Sequence, residues 1–174
     1  MLLSLCSAAI IFGSPVVAVA TASAQAITAT PDSIVERYSD WRVTCTKQTE
    51  TNLQECLMSQ KLMQPNAEQP VMTIYVRPEV DDGDARMTFL VPLRVSLMDK
   101  VRATINEEQV LSAPYQSCTP RGCLARAVLD QEAIKAFRAA ESSVVAFNLA
   151  NSQLVKITIS LNGFSAAWER MHFE

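Results

Sequence analysis

The 174-residue chain is 49% hydrophobic, 19% charged and 6% aromatic, the make-up of a folded globular protein rather than a disordered one. Fifteen Lys and Arg against eighteen Asp and Glu leave a net charge of -3 with no basic block, which excludes the electrostatic footprint of a nucleic-acid binder. Four glycines (Gly13, Gly83, Gly122, Gly163) cannot write either common phosphate-cradling loop, and the one histidine, His172, excludes a His-rich metal site.

Residues 1–31 carry no Lys, Arg, Asp or Glu. Leu2 to Ala20 is almost wholly apolar and is followed by Thr21-Ala22-Ser23-Ala24-Gln25-Ala26, where two A-x-A patterns fit a signal peptidase. Residues 1–26 therefore read as an export signal cleaved after Ala26. The alternative is a retained membrane anchor, since about nineteen apolar residues could just span a bilayer; Gly13, Ser14 and Pro15 inside the run and the small-residue end favour removal, after which no membrane span is expected. Leu5 before Cys6 is too bulky for a lipoprotein site. The expected destination is the periplasm, the cell envelope or the medium.

Export makes the cysteine count informative. Cys6 leaves with the signal, and an even set of Cys45, Cys56, Cys118 and Cys123 remains, which in an oxidising compartment reads as disulfides. Three pairings are open, and the short spacings favour Cys45–Cys56 and Cys118–Cys123. Neither gap makes a C-x2-C zinc knuckle, and Cys118-x4-Cys123 departs from the usual C-x-x-C redox spacing.

Residues 27–39 read as a frayed N-terminal lead-in to a single domain over 40–174. The dominant period thereafter is two. Trp41, Val43 and Cys45 alternate with Arg42, Thr44 and Thr46, and Met72, Ile74 and Val76 alternate with Thr73, Tyr75 and Arg77. Strands are predicted near 54–63, 87–91, 93–98, 101–105, 108–116, 123–128 and 143–149. Val155, Ile157, Ile159 and Leu161 mark the cleanest half-buried strand. Asp130 caps a predicted helix whose apolar stripe is Ala133, Ile134, Phe137 and Ala140. A second helix follows Gly163, with Phe164, Ala167, Trp168 and Met171 on one face. The fold class is mainly β: an antiparallel sandwich or barrel-like single domain with two short helices in the C-terminal half.

Few motifs carry chemistry. Asp81-Asp82-Gly83-Asp84 lacks the alternate spacing of an EF-hand and reads as an exposed turn. Met58, Met63, Met72, Met87, Met98 and Met171 show no tight clustering of the kind copper handling uses, and read as core packing. Ser142, Ser143 and Ser160 have no nucleophile-elbow context. The most distinctive motif is Cys118-Thr119-Pro120-Arg121-Gly122-Cys123. Pro120 fixes φ, Gly122 permits positive φ, and a disulfide would close a rigid turn with Arg121 near its tip. A rigid guanidinium suits a carboxylate or phosphate, so Arg121 is the candidate partner-binding residue, beside the plainer reading of a stapled hairpin with an incidental arginine.

Trp41-Arg42-Val43-Thr44-Cys45, Cys56, Val91-Pro92-Leu93, Cys118 through Gly122-Cys123, the helix from Asp130 and Asn162-Gly163-Phe164 together resemble the invasion-associated locus B family. The resemblance spans roughly residues 36–173. Its members are small exported proteins of α-proteobacteria, and the founding member is linked to invasion of erythrocytes. The resemblance implies a β-rich envelope or secreted domain with a part in host-cell interaction, and it supplies no catalytic residues. Met98-Asp99-Lys100 and Asn106-Glu107-Glu108 stand where many members have Pro- or Gly-containing turns; Asp and Asn also serve turns, which are expected to survive.

The expected function is thus an exported binding or interaction protein, without cofactor, metal or catalytic residue, whose partner is a protein or a cell surface. The alternative is a structural or stress-protective envelope protein with no external partner. An enzyme built on paired carboxylates is the third reading; it needs acids that meet in a deep pocket. Nothing in the sequence sets the oligomeric state.

Overall fold

Alternating apolar and polar residues drive most of this chain into strands, because each strand then buries one face and wets the other. The computed structural model describes residues 33–48, 53–65, 68–79 and 84–171. The expected export signal, Asp81, Asp82, Gly83 and His172 lie outside them. Within the compact unit from Pro31 to Glu174, the elements run β1 (Ser33–Tyr38), β2 (Trp41–Lys47), β3 (Gln54–Leu62), β4 (Met72–Pro78), β5 (Ala85–Val91), β6 (Lys100–Ile105), β7 (Glu108–Thr119), β8 (Gly122–Leu129), α1 (Gln131–Ala139), β9 (Ser142–Asn148), β10 (Leu154–Ser160) and α2 (Phe164–Arg170).

The strands pair antiparallel in the order β1-β2-β3-β4-β5-β8-β7-β6-β9-β10, a mainly β sheet curled into a half-barrel. The curl turns on β7. Its first half pairs with β6 as far as Pro114, and its second half pairs with β8 from Tyr115, with a register shift between Tyr115 and Ser117. Proline cannot donate to a ladder, and bulges bend a strand, so Pro114 and the shift mark where β7 passes from one wall to the other. Across the barrel, the indole Nε1 of Trp41 and the amide Nε2 of Gln60 donate to the Ser160 carbonyl at 3.1 and 2.8 Å. These two bonds tie β2 and β3 to the far end of β10.

The inward residues form one core. Trp41 and Val43 from β2, Met58 from β3, Ile74 from β4, Met87 and Phe89 from β5 and Val145 from β9 are fully buried. Of the six methionines read as core, four are buried, whereas Met63 and Met98 are 53% and 95% exposed. Asp130 Oδ1 accepts from the Ala133 amide at 2.8 Å, and Ala133, Ile134 and Phe137 form the buried stripe of α1. Phe164, Ala167 and Trp168 of α2 and Met171 after it are buried as a face. Phe164 meets Trp41 edge-on at 5.1 Å, Phe137 at 5.7 Å and Trp168 in a stack at 6.5 Å. Gly163 enters α2 at φ 86°, and a Cβ there would lie 2.1 Å from the Tyr38 carbonyl oxygen, so only glycine lets α2 dock this closely.

Two expectations are corrected. Residues 33–38, read as part of the lead-in, form β1. This edge strand leaves Ile34 37% and Val35 58% exposed, so it lacks the buried alternation that marks the others. Pairing to β2 and an ion pair from Glu36 to Arg170 at 2.6 Å hold it instead. Residues 93–98 are turn rather than strand, with one isolated bridge from Val95 to Leu149. Arg94 adopts φ 69°, and Leu97 and Met98 are exposed, which is incompatible with a ladder there.

The turns expected at Met98-Asp99-Lys100 and Asn106-Glu107-Glu108 form. Asp99 accepts hydrogen bonds from the side chains of Ser96 and then Asn148, which hold its carboxyl below the usual range. Asn106 and Glu107 take φ 50° and 68° between the paired Ile105 and Glu108, the two-residue hairpin loop whose twist matches its strands. Near Asp99, burial first and the Asp99 charge second push the Tyr115 phenol up to about 12 from 10.0. Its Oη is buried without a hydrogen-bond partner among the described residues. An unfolded tyrosine ionises near the ordinary value, so this group's stabilising contribution is complete below pH 10.0 and is lost as the pH rises toward 12. A titration followed at the phenolate absorbance should show the Tyr115 phenol still protonated at pH 11 while the far-ultraviolet spectrum is native. Tyr115→Phe should remove that late group; three ionised phenols in the folded protein at pH 11 would contradict the burial.

Candidate interaction surface

The stapled turn is built from the ladder up. Cys118 stands opposite Cys123 and Thr119 opposite Gly122 across β7 and β8, leaving Pro120 and Arg121 as a two-residue tip. The disulfide Cys118–Cys123 crosses this rung, as Cys45–Cys56 crosses the facing pair of β2 and β3. Thr119 Oγ1 accepts from the Arg121 amide at 3.3 Å and lies 3.4 Å from the Gly122 carbonyl, to which it donates. Gly122 has φ 138°, and a Cβ there would come within 2.3 Å of the Val91 carbonyl oxygen. The tip is therefore packed onto the end of β5 as well as stapled, and Arg121 is exposed on a rigid support.

Arg121 does not stand alone. A shallow depression of about 450 Å³ on the outer face of β4, β5 and β8 gathers Arg77, Arg86, Arg121 and Arg126, with Tyr75 and Thr88 between them. The register explains the gathering. Tyr75 pairs with Thr88, which pairs with Arg126, and one row along Arg77 stands directly opposite Arg86. Like charges directly opposite on a sheet repel. Each of this pair leans on a carboxylate instead: Arg77 on Glu55 at 3.3 Å and Arg86 on Glu79 at 2.7 Å. Both bridges are about half exposed, where such pairs contribute only about 0–1 kcal/mol, so an incoming anion can replace the carboxylates at little cost. Among the described residues, Arg121 and Arg126 make no ion pair. A chain with a net charge of -3 thus concentrates four guanidinium groups on one concave face. Chemically, that arrangement can fork onto carboxylates, phosphates or sulfates.

Sequence reasoning found Arg121 through the turn but missed Arg77, Arg86 and Arg126. Their outward positions follow from period two, which already places Arg77 outside. Their proximity follows only from β8 pairing with β5 rather than with its chain neighbours alone. Cys45, Cys56, Cys118 and Cys123 are all engaged in the two disulfides. Among the described residues, no three of His, Cys, Asp and Glu gather where they could share a metal ion, and no helix is long and apolar enough to cross a membrane.

Comparison with known proteins gives a consistent set of relatives. Residues 41–172 match the family described as invasion associated locus B (IalB) protein. The invasion protein B homolog of Brucella abortus strain 2308 is 30% identical over 140 residues, covering 80% of this chain and 79% of its own. Invasion protein B of Bartonella bacilliformis is 25% identical over 144 residues, covering 80% and 75%. The crystal structure of invasion associated protein B from Bartonella henselae superposes with a TM-score of 0.70 at 23% identity, over 79% of this chain and 94% of that one, a likeness of fold.

Proposed function

This chain belongs to the invasion-associated locus B family, and from that premise we propose that it is an exported, disulfide-stabilised interaction protein that binds an anionic partner on a host-cell or envelope surface without turnover. The observation that carries the reading is the arginine face: four guanidinium groups on one side of a rigid sheet, one of them on a stapled tip. Two of the four have no competing carboxylate among the described residues, so they meet a partner without first giving up an ion pair. Export fits the apolar, small-residue N-terminus and the disulfides. The relatives' names speak of invasion, which fits a surface-binding role.

Arg121→Ala should weaken binding to host-cell or envelope fractions by about tenfold or more, as loss of an arginine anchor does. Its melting temperature should stay nearly that of the parent, because the side chain is exposed. A pull-down with the processed protein, wild type beside Arg121→Ala, makes the comparison. Equal binding by both removes the turn from the site. Absence of saturable binding in every fraction favours a structural envelope role instead.

A further inference from the structure

A second concavity lies elsewhere on the sheet. At one end of β10, Trp41 and Gln60 reach across to Ser160 and shut the barrel. At the other end β3 has stopped at Leu62, no hydrogen bond among the described residues crosses from it to β10, and the inward Val155 and Ile157 are only half-buried. The mouth left between them encloses about 820 Å³, within the range of about 300–1,000 Å³ typical of small-molecule sites. Phe147, 2% exposed, forms part of its wall, and Leu62, Val71 and Leu149 add apolar surface. Met63 and Leu93, 53% and 47% exposed, also line it.

Charge decides what this mouth suits. Arg94 and Lys156 stand at its rim, Lys156 rooted on the outer face of the edge strand β10 between the inward Val155 and Ile157, and no Asp or Glu lines it, although acids outnumber bases eighteen to fifteen in the chain. Among the described residues, neither cation is ion-paired. Arg94 holds φ 69°, the left-handed region that non-glycine residues enter only under restraint. The restraint is visible: the Ala150 amide donates to the Arg94 carbonyl at 2.8 Å, and Val95 bridges to Leu149. A restrained backbone therefore roots the Arg94 side chain beside an apolar opening.

We propose that the mouth of the half-barrel binds one molecule of a long-chain carboxylate, its alkyl chain lying along Phe147, Val155 and Ile157 and its head met by Arg94 and Lys156. The site is distinct from the arginine face, with which it shares no lining residue.

Calorimetric titration of the processed protein with monomeric octanoate, decanoate and dodecanoate, beside 1-dodecanol, tests it. Binding should saturate at one molecule per chain, and affinity should rise about fourfold per added methylene. Arg94→Gln with Lys156→Gln should lower dodecanoate affinity tenfold or more and leave 1-dodecanol unchanged. Leu93→Asp, at a half-exposed position, should weaken every ligand, and Met63→Asp serves the same purpose should that variant misfold. No saturable binding, no dependence on chain length, or full dodecanoate affinity in the double glutamine variant would each overturn the assignment. So would a dimer that Leu93→Asp dissolves in a protein that ignores dodecanoate, or adsorption to phosphatidylglycerol vesicles without binding of the monomer. Arg121→Ala should bind dodecanoate like the parent, which separates this outcome from that of the outer face.

Discussion

Phe164→Ala should lower stability by about 3–5 kcal/mol, and the melting temperature of this unit by on the order of 10–20 °C. The reason is position rather than size alone. Phe164 is fully buried and is the one ring that touches Trp41 on β2, Phe137 on α1 and Trp168 on α2. Removing it opens a cavity at the junction of both helices with the sheet. Trp168→Ala, 7% exposed at the margin of the cluster, carries a similar expectation from lost packing. Thermal unfolding of both variants checks the account. If either melts like the parent, α2 is peripheral to the core and its apolar face has another use.

The second large effect concerns the disulfides. Opening Cys45–Cys56, which closes a separation of 11 residues, should cost about 3 kcal/mol, and opening Cys118–Cys123, with a separation of 5, about 2 kcal/mol. Together these are a large fraction of the stability of a typical domain, about 5–15 kcal/mol, so the reduced protein should unfold at markedly lower denaturant. Each pair would add one buried hydroxyl, at Cys45 or Cys123, but Cys56 is half-buried where Cys118 is exposed, and the loop opened is longer, which makes Cys45→Ser with Cys56→Ser the more damaging pair. Peptide mapping without reduction should yield the two local links. A peptide joining Cys45 to Cys118 or Cys123 would contradict the fold's strand register as well as the pairing.

Much of the architecture is legible in the chain because period two is a local property. Trp41-Val43-Cys45 and Met72-Ile74-Val76 announce their inner faces, and Asp130 announces the start of α1. The second helix's stripe holds to the residue, with Phe164, Ala167, Trp168 and Met171 all buried, whereas in the first Ala133, Ile134 and Phe137 are buried and Ala140, just past the end of α1, is half-buried. β1 escapes because an edge strand wetted on both faces writes no alternation, and its Ile34 and Val35 remain in solvent. Residues 93–98 mislead because Leu93, Val95 and Leu97 alternate with polar neighbours in a segment whose backbone turns left-handed at Arg94. The arginine face is the instructive omission. Arg77, Arg86 and Arg126 are far apart in sequence and meet only through the β4-β5-β8 order, a long-range choice that no local pattern encodes. The mouth of the half-barrel is hidden for the same reason, since it exists only where β3 stops short of β10.

The central claim is that the outer arginine face, and not the protein's charge in general, binds the partner. It is tested most directly by comparing Arg121→Glu with Arg126→Glu against a charge-matched control, Lys100→Glu with Lys135→Glu, whose side chains are exposed elsewhere. Binding of each processed double variant to host-cell and envelope fractions would be measured at low and at physiological salt. The account predicts that the arginine pair abolishes saturable binding while the lysine pair binds like the parent, and that parental binding weakens as salt screens the face. Equal losses in both double variants, or full binding by the arginine pair, would contradict it.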